Sequence, residues 1–392
     1  MTPILHHPLR DALWLTGDRA RAAATVWLAA ILLLLAALPL VAPSLVVGAD
    51  FVPLWAAAGL ASAGDGAAAY GAEARAAVAA RLGPAAHWPF AYPPTALLLW
   101  SPFATLSFPV ALAAWLGLSA AAYLTAMRAL AGTAAFTAAL AFPAVTICVL
   151  YGQNSLLSAA LFAGAAVLLD RRPVLAGVLL GCLAFKPQLA VLVPLVLIAA
   201  GRWRSVAGAA VTLAALVAAS VACFGAEAWA AYLPVLQEVR ELNTGGVSGF
   251  DRFAGVYPAA RILGVPAAAA WTAQAMMAAL AAIMLFVTAR RRPGGRAELA
   301  MLVAATGLCV PFLGEYDLAI MAVPGFWLKS DALRTGWLPY ERLGLAVLYF
   351  APAVIVAASV NGIPLGPLVP AALAALVFRR ASRTAPVVSS PA

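Results

Sequence analysis

Val26-Trp-Leu-Ala-Ala-Ile-Leu-Leu-Leu-Leu-Ala-Ala-Leu-Pro-Leu-Val-Ala-Pro-Ser-Leu-Val-Val47 contains no ionisable residue and is followed at once by Gly48-Ala-Asp50. About 20 apolar residues in helix cross the hydrocarbon of a bilayer, so this run reads as a membrane span. Arg10, Arg19 and Arg21 precede it, but the run is too long for a signal-peptide core and lacks a good cleavage site, so it is read as retained. The rest of the chain is of the same kind. It is 65% hydrophobic and 10% charged, with mean hydropathy +0.97, outside the mixture of a soluble domain.

Working outward from Val47, twelve such segments can be marked, several of them short, so ten to thirteen transmembrane helices are expected in one all-α polytopic membrane domain, 1–392. With the N-terminus in the cytoplasm, all of the 24 Lys and Arg except Arg75, Arg81, Lys186, Arg240, Arg252 and Arg261 fall inside, as the positive-inside rule requires. The net charge of +9 is therefore topological, and no nucleic-acid partner is expected. The inner connections, such as Asp170-Arg-Arg-Pro173, are too short for a nucleotide-binding domain. Two long connections lie outside: a first outer (periplasmic) loop, 48–105, and a second, 225–266.

In the first outer loop, short interfacial helices are expected at 51–62 and 73–82; in the second, an amphipathic helix at 227–242 precedes the Gly-rich stretch 243–249. The tail 381–392 reads as disordered. Cys148, Cys182, Cys223 and Cys309 stand alone in apolar stretches, with no spacing for a disulfide framework or a zinc site.

The polar residues that could carry chemistry gather at the outer ends. Asp50, at the mouth of a membrane cavity, reads either as a base or as a helix cap. His87-Trp-Pro-Phe-Ala-Tyr-Pro-Pro94 is a rigid aromatic ledge for a sugar or a prenyl chain, or an interfacial anchor. Tyr151-Gly-Gln-Asn154 offers amides to sugar hydroxyls or makes a tight turn. Lys186, in Phe185-Lys-Pro-Gln188, is one of two lysines in the chain; a lipid phosphodiester would partner it, and so would Asp50 or Asp317. Arg252 and Arg261 are further phosphate partners. Gly314-Glu-Tyr-Asp317 supplies two more carboxylates at an outer boundary, for substrate or for a helix cap.

This ordered set resembles glycosyltransferase family 87, the polyprenyl-phosphate-mannose-type transferases of the GT-C superfamily. The resemblance rests on Asp50-Phe51 with Trp55 and Gly59, Phe90-Ala-Tyr-Pro-Pro94, Tyr151-Gly-Gln-Asn154, Asp170-Arg-Arg-Pro173 with Ala176-Gly177, Phe185-Lys-Pro-Gln188, Arg202-Trp-Arg204 and Tyr316-Asp317, over about residues 45–330. It implies a GT-C-like bundle in a bacterial inner membrane, an active site facing the periplasm or cell exterior, and inverting transfer of a hexose, mannose being the best-known case, from a polyprenyl-phosphate carrier to a lipid or glycan acceptor. It also implies that Asp50 is the catalytic base. Lys186, Arg252 and Arg261 would meet the donor phosphate, and Tyr92, Gln153, Asn154, Gln188, Glu315 and Asp317 would hold the sugars. No cofactor is firmly expected beyond that donor, no protein metal site is assigned, and divalent-metal dependence is left open.

A multi-span transporter or flippase of a lipid-linked glycan is the competing class, since a lone intramembrane lysine and Gly/Pro-broken spans also suit a substrate pathway; it lacks the expected internal repeat. A noncatalytic envelope scaffold is the third.

Overall fold

The computed structural model describes residues 7–42, 46–84, 86, 88–247, 249–291 and 294–383; His87, and the expected disordered tail from 384 on, lie outside them. The described residues form seventeen α-helices joined by short 3-10 turns, with no strand. In chain order these are α1 (Gly17–Val41), α2 (Phe51–Ser62), α3 (Ala72–Leu82), α4 (Pro94–Trp100), α5 (Phe108–Ala131), α6 (Phe136–Leu140), α7 (Pro143–Tyr151), α8 (Ser155–Leu168), α9 (Pro173–Gly181), α10 (Val193–Ala199), α11 (Trp203–Thr244), α12 (Val256–Ile262), α13 (Ala267–Arg291), α14 (Gly295–Cys309), α15 (Ala322–Thr335), α16 (Glu341–Ser359) and α17 (Leu368–Ala381). Proline sets several starts: Pro94, Pro143 and Pro173 each open a helix, where the missing N–H costs nothing. Glycine sets several stops, as at Gly132 and Gly152, whose φ of 84° and 75° suit a residue without Cβ.

Five described helices, in α1, α5, α11, α13 and α16, are long and apolar enough to cross a membrane alone; α6 with α7, bent at 54°, makes a sixth. Ten to thirteen were expected because the sequence also marks shorter apolar segments, among them α8, the α9 segment Pro173–Phe185, and Pro187–Ala199. Among them α8 lies buried in the bundle, as does α14. A helix surrounded by protein needs no full bilayer length, since its neighbours replace lipid. By contrast α1, α11 and α13 expose Leu33, Val211 and Ile283 among other large apolar side chains, as expected of lipid-facing walls. The chain is thus an all-α polytopic membrane protein.

The 42-residue α11 is two helices merged across Gly225, whose φ of 78° and ψ of 163° are not helical. Its second part carries the stretch expected at 227–242 and is tied to the 48–105 segment by Arg75, which donates to both oxygens of Glu238 at 2.6 Å.

Helices α8, α9 and α14 run between two polar ends. At one end Asp170, Arg202 and Glu298 meet: Arg202 reaches Asp170 at 2.7 Å and Glu298 at 2.9 Å, and the Gly295 N–H donates to Asp170 at 2.9 Å. The family-like residues Asp170 and Arg202 therefore fasten helix ends together. Helix α8 spans about 21 Å from there to the other end, where Asn154 lies. Close packing holds α9 on α11. A Cβ added to Gly177 would stand 2.2 Å from the Ser205 carbonyl oxygen, and one at Gly181 would stand 2.7 Å from that of Ala209. Small residues four apart let two backbones touch where no hydrophobic drive exists between helices. Gly177→Leu is expected to cost about 3 kcal/mol or more by overpacking; a melting temperature in detergent equal to that of the parent protein would contradict this.

Candidate active site

Asp50 is fixed by backbone pairing before its side chain does anything. The Gly48 N–H donates to the Leu150 carbonyl at 2.8 Å and the Asp50 N–H to that of Tyr151 at 3.1 Å. This apposition needs two glycines, Gly48 and Gly152: a Cβ at Gly152 would lie 2.9 Å from the Gly48 Cα and 2.8 Å from the Phe51 Cβ. The end of α7 is thereby fastened to the start of α2. Asp50 occupies the N-cap position of α2, yet its carboxylate makes no capping hydrogen bond. Instead Oδ2 accepts from Gln153 Nε2 at 3.0 Å and Oδ1 faces Arg252 Nη2 at 3.4 Å. Of the two readings open at this position, the helix-cap one is set aside.

Behind Asp50 runs a chain of hydrogen bonds with one direction. Lys186 Nζ donates to Asn154 Oδ1 at 3.3 Å, Asn154 Nδ2 to the Tyr92 hydroxyl at 2.7 Å, and that hydroxyl to Gln153 Oε1 at 3.2 Å. Gln153 Nε2 then donates to Asp50. Every donor points from the buried cation toward the carboxylate, so each link polarises the next and fixes the orientation of the Asp50 side chain. Tyr92 itself is seated by rings, with Trp100 at 5.2 Å and Phe90 at 5.8 Å between centroids, and its carbonyl accepts from the Tyr70 hydroxyl at 3.0 Å.

Lys186 corrects one expectation. Its amine donates to Asp317 Oδ1 at 2.6 Å and Oδ2 at 2.9 Å, and Asn154 takes the third donor, while Ser155 Oγ donates to Asp317 Oδ1 at 2.5 Å. Both side chains of the ion pair are 3% exposed. Of the partners named from the sequence Lys186 has taken Asp317, and a lysine 3% exposed with its three donors committed has none left to grip a donor phosphate. Asp317, equally occupied, is not placed to take a proton or hold a sugar.

Arg252 is the accessible cation. Its side chain is 34% exposed beside Asp50, which is 22% exposed, and its guanidinium stands 5.6 Å from the Tyr151 ring and 5.7 Å from the Trp88 ring. Burial opposes its charge, but Asp50 and neighbouring acidic groups, Glu315 among them, raise its pKa above the ordinary arginine value. The loop carrying it is held by the Ala254 N–H donating to the Leu313 carbonyl at 2.7 Å, next to the Phe253 and Gly314 bridge. Glu315 accepts from the Tyr151 hydroxyl at 2.9 Å. Burial pushes its carboxyl above the usual carboxylate range, against that hydrogen bond and the charge of Arg252.

Asp50, Tyr92, Gln153, Asn154, Lys186, Arg252, Glu315 and Asp317 are thus brought together from segments far apart in the chain. Arg261 and Gln188 are not. Arg261 donates to the Val265 carbonyl at 3.2 Å, with its guanidinium 5.5 Å from the Phe250 ring. Gln188 is exposed, because the turn opened by Pro187 carries it outward past Lys186. Tyr151 and Ser155 were not given roles of their own from the sequence; their position on either side of Gly152-Gln-Asn154 was the available signal. Among the described residues no group of three or more His, Cys, Asp or Glu side chains is placed to hold a metal ion.

No curated protein and no solved structure matches the chain. The profile of glycosyltransferase family 87 matches residues 90–313, more than half of the chain. That stretch contains Tyr92, Gln153, Asn154, Lys186 and Arg252 and ends just before Glu315 and Asp317, while Asp50 enters the same cluster from outside it. The chain belongs to glycosyltransferase family 87.

Proposed function

We propose that this glycosyltransferase moves a hexose, mannose in the first instance, from a polyprenyl-phosphate carrier to a hydroxyl of a lipid or glycan acceptor, with inversion, at the outer face of a bacterial inner membrane. The observation that carries the reading is the pair of Asp50 and Arg252: a half-buried carboxylate with one oxygen turned toward a half-exposed guanidinium.

A lipid-phosphate donor leaves as an anion that needs no general acid, so the chemistry asks for one base and one cation. Asp50 Oδ1 takes the proton from the acceptor hydroxyl as its oxygen forms the bond to the anomeric carbon. The bond between that carbon and the phosphate oxygen breaks, its electron pair stays on the phosphate, and Arg252 stabilises the charge that develops there. Tyr92, Gln153 and Asn154, whose polar groups are engaged with one another, aim the base. Tyr151 borders the accessible side and is assigned to acceptor or sugar hydroxyls, with the buried Glu315 accepting from its hydroxyl. The polar groups around Asp50 lie at one end of the bundle, beside the loops 48–105 and 225–266, which supports a transferase over a transporter with a midplane site.

The test is transfer by the purified protein in liposomes, offering polyprenyl-phosphate hexoses, and nucleotide sugars as the contrast, with a simple glycoside acceptor. Product from the lipid donors alone, with the anomeric configuration inverted, is the expected result; product from nucleotide sugars alone would sink the proposal. Arg252→Ala is expected to lower kcat about 100-fold, the usual loss of one donor aimed at developing charge. Arg252→Lys should recover part of it, because the charge returns without the planar fork.

A further inference from the structure

A cavity with a cationic mouth lies at the opposite end of the bundle from Asp50. It holds about 810 Å³ between the N-terminal turns of α1 and helices α15 and α16, with Phe142 and Leu373 in its walls. That volume is in the range of ligand sites.

The charge along it is one-sided. Arg19, Arg21, Lys329 and Arg342 line it, and among the described residues no carboxylate does. Arg21 pairs with the exposed Asp18, and Arg19 donates to the Trp14 carbonyl at 2.9 Å. The nearby acids Asp331 and Glu341 are bound by Arg380, with Arg334 also on Asp331. Lys329 makes no hydrogen bond or ion pair with any described residue. The Nε of Arg342 is buried without a hydrogen-bond partner among the described residues, and its guanidinium stands 5.1 Å from the Trp337 ring.

The two ends of the cavity differ in character. The four cations sit at one end, on the first turns of α1 and α16 and the C-terminal half of α15. Phe350, also in the wall, lies about 12 Å farther along α16 than Arg342. Past the cations the walls are apolar, with Ala24, Ala322, Phe326 and Leu348 among them.

We infer that this groove is a binding site for an anionic glycerophospholipid of the surrounding bilayer, the phosphate headgroup on Lys329 and Arg342 and an acyl chain along α16. Two cations without anionic partners among the described residues, set in an apolar wall, ask for a phosphate, and apolar walls extending away from them ask for a chain on that phosphate. A free anion would leave those walls empty. A zwitterionic lipid would bring its own cation to the same place. The inference needs only the membrane fold and is independent of what Asp50 does.

Native mass spectrometry of the full chain in neutral detergent tests it, with phosphatidylglycerol and phosphatidylcholine of identical acyl chains in competition. Polyprenyl phosphate and inorganic phosphate are run as separate competitors. The wild-type protein should retain phosphatidylglycerol in preference. Lys329→Gln with Arg342→Gln should weaken that retention on the order of 25-fold, about fivefold for each cation near an anionic lipid. Equal retention of phosphatidylcholine, displacement by inorganic phosphate, or stronger retention of polyprenyl phosphate would each overturn the inference. So would a folded double variant that keeps phosphatidylglycerol as the wild type does. The wild-type competition decides even if the double variant fails to fold.

Discussion

Asp50→Asn is expected to lower kcat for sugar transfer about 1000-fold, within the span usual for loss of a general base, while donor affinity changes little. The expectation follows from how the carboxylate is held. The backbone pairing of Gly48 and Asp50 with Leu150 and Tyr151 does not depend on the side chain, so the variant keeps its place. An asparagine carbonyl can still accept from Gln153, but the amide group then faces Arg252 and offers no acceptor for the acceptor hydroxyl's proton. The neighbouring carboxylates give the contrast. Asp317 is 2% exposed and already accepts from Lys186 and Ser155, so it has no access to a substrate proton. Glu315, buried at 5% exposure and hydrogen-bonded by Tyr151 in the same cluster, is the next candidate for the base. Single-turnover transfer with each variant separates these. Glu315→Gln should retain at least about a tenth of wild-type turnover, as a residue outside the proton transfer would. If instead Glu315→Gln is the dead variant and Asp50→Asn the active one, the base has been misassigned.

Much of this arrangement was legible in the sequence because the local signals are strong. The helices expected at 51–62 and 73–82 are seen at Phe51–Ser62 and Ala72–Leu82, bounded by residues that end helices for steric reasons, such as Gly64 and Gly83 with φ near 100°. Which apolar segments are long enough to cross a bilayer alone was less legible. Hydropathy measures how apolar a segment is, and α8 and α14 are apolar because they are surrounded by protein. Of the site, the residue types and motifs were visible but not most of the pairings. Lys186 and Asp317 are 131 positions apart, and nothing local to either chooses Asp317 over Asp50 as the partner. The choice is made by tertiary packing, which carries the turn at Gly314–Asp317 against the start of α8. Gln188 shows the reverse: two residues from Lys186 in a family-like motif, it is turned outward by a proline whose effect on direction is not written in residue type. Arg252 was one of three phosphate candidates, and only the fold sets it beside Asp50 and Lys186 behind it.

Lys186→Met is expected to destabilise the protein by about 3 to 5 kcal/mol, the cost of leaving a buried ion without its partner. Asp317 would then hold a negative charge at 3% side-chain exposure with only the Ser155 hydroxyl as donor. Asp317→Leu strands the lysine in the same way. Joining the two substitutions should restore most of the loss, because an apolar pair of similar volume removes both charges from a site that desolvates them. Thermal unfolding in detergent supplies the cycle, and a double variant less stable than both singles would show that the pair contributes net stability. The more informative readout is transfer by the recovered double variant. If Lys186 and Asp317 served stability alone, turnover would return with the fold. The chain of donors from Lys186 through Asn154, Tyr92 and Gln153 to Asp50 predicts that it will not. Without the ammonium, the Asn154 carbonyl loses the donor that fixes its orientation, and the order of every later link is released. The stable double variant should therefore keep donor binding and lose kcat about 10-fold, short of the loss in Asp50→Asn because the base is still present but no longer aimed.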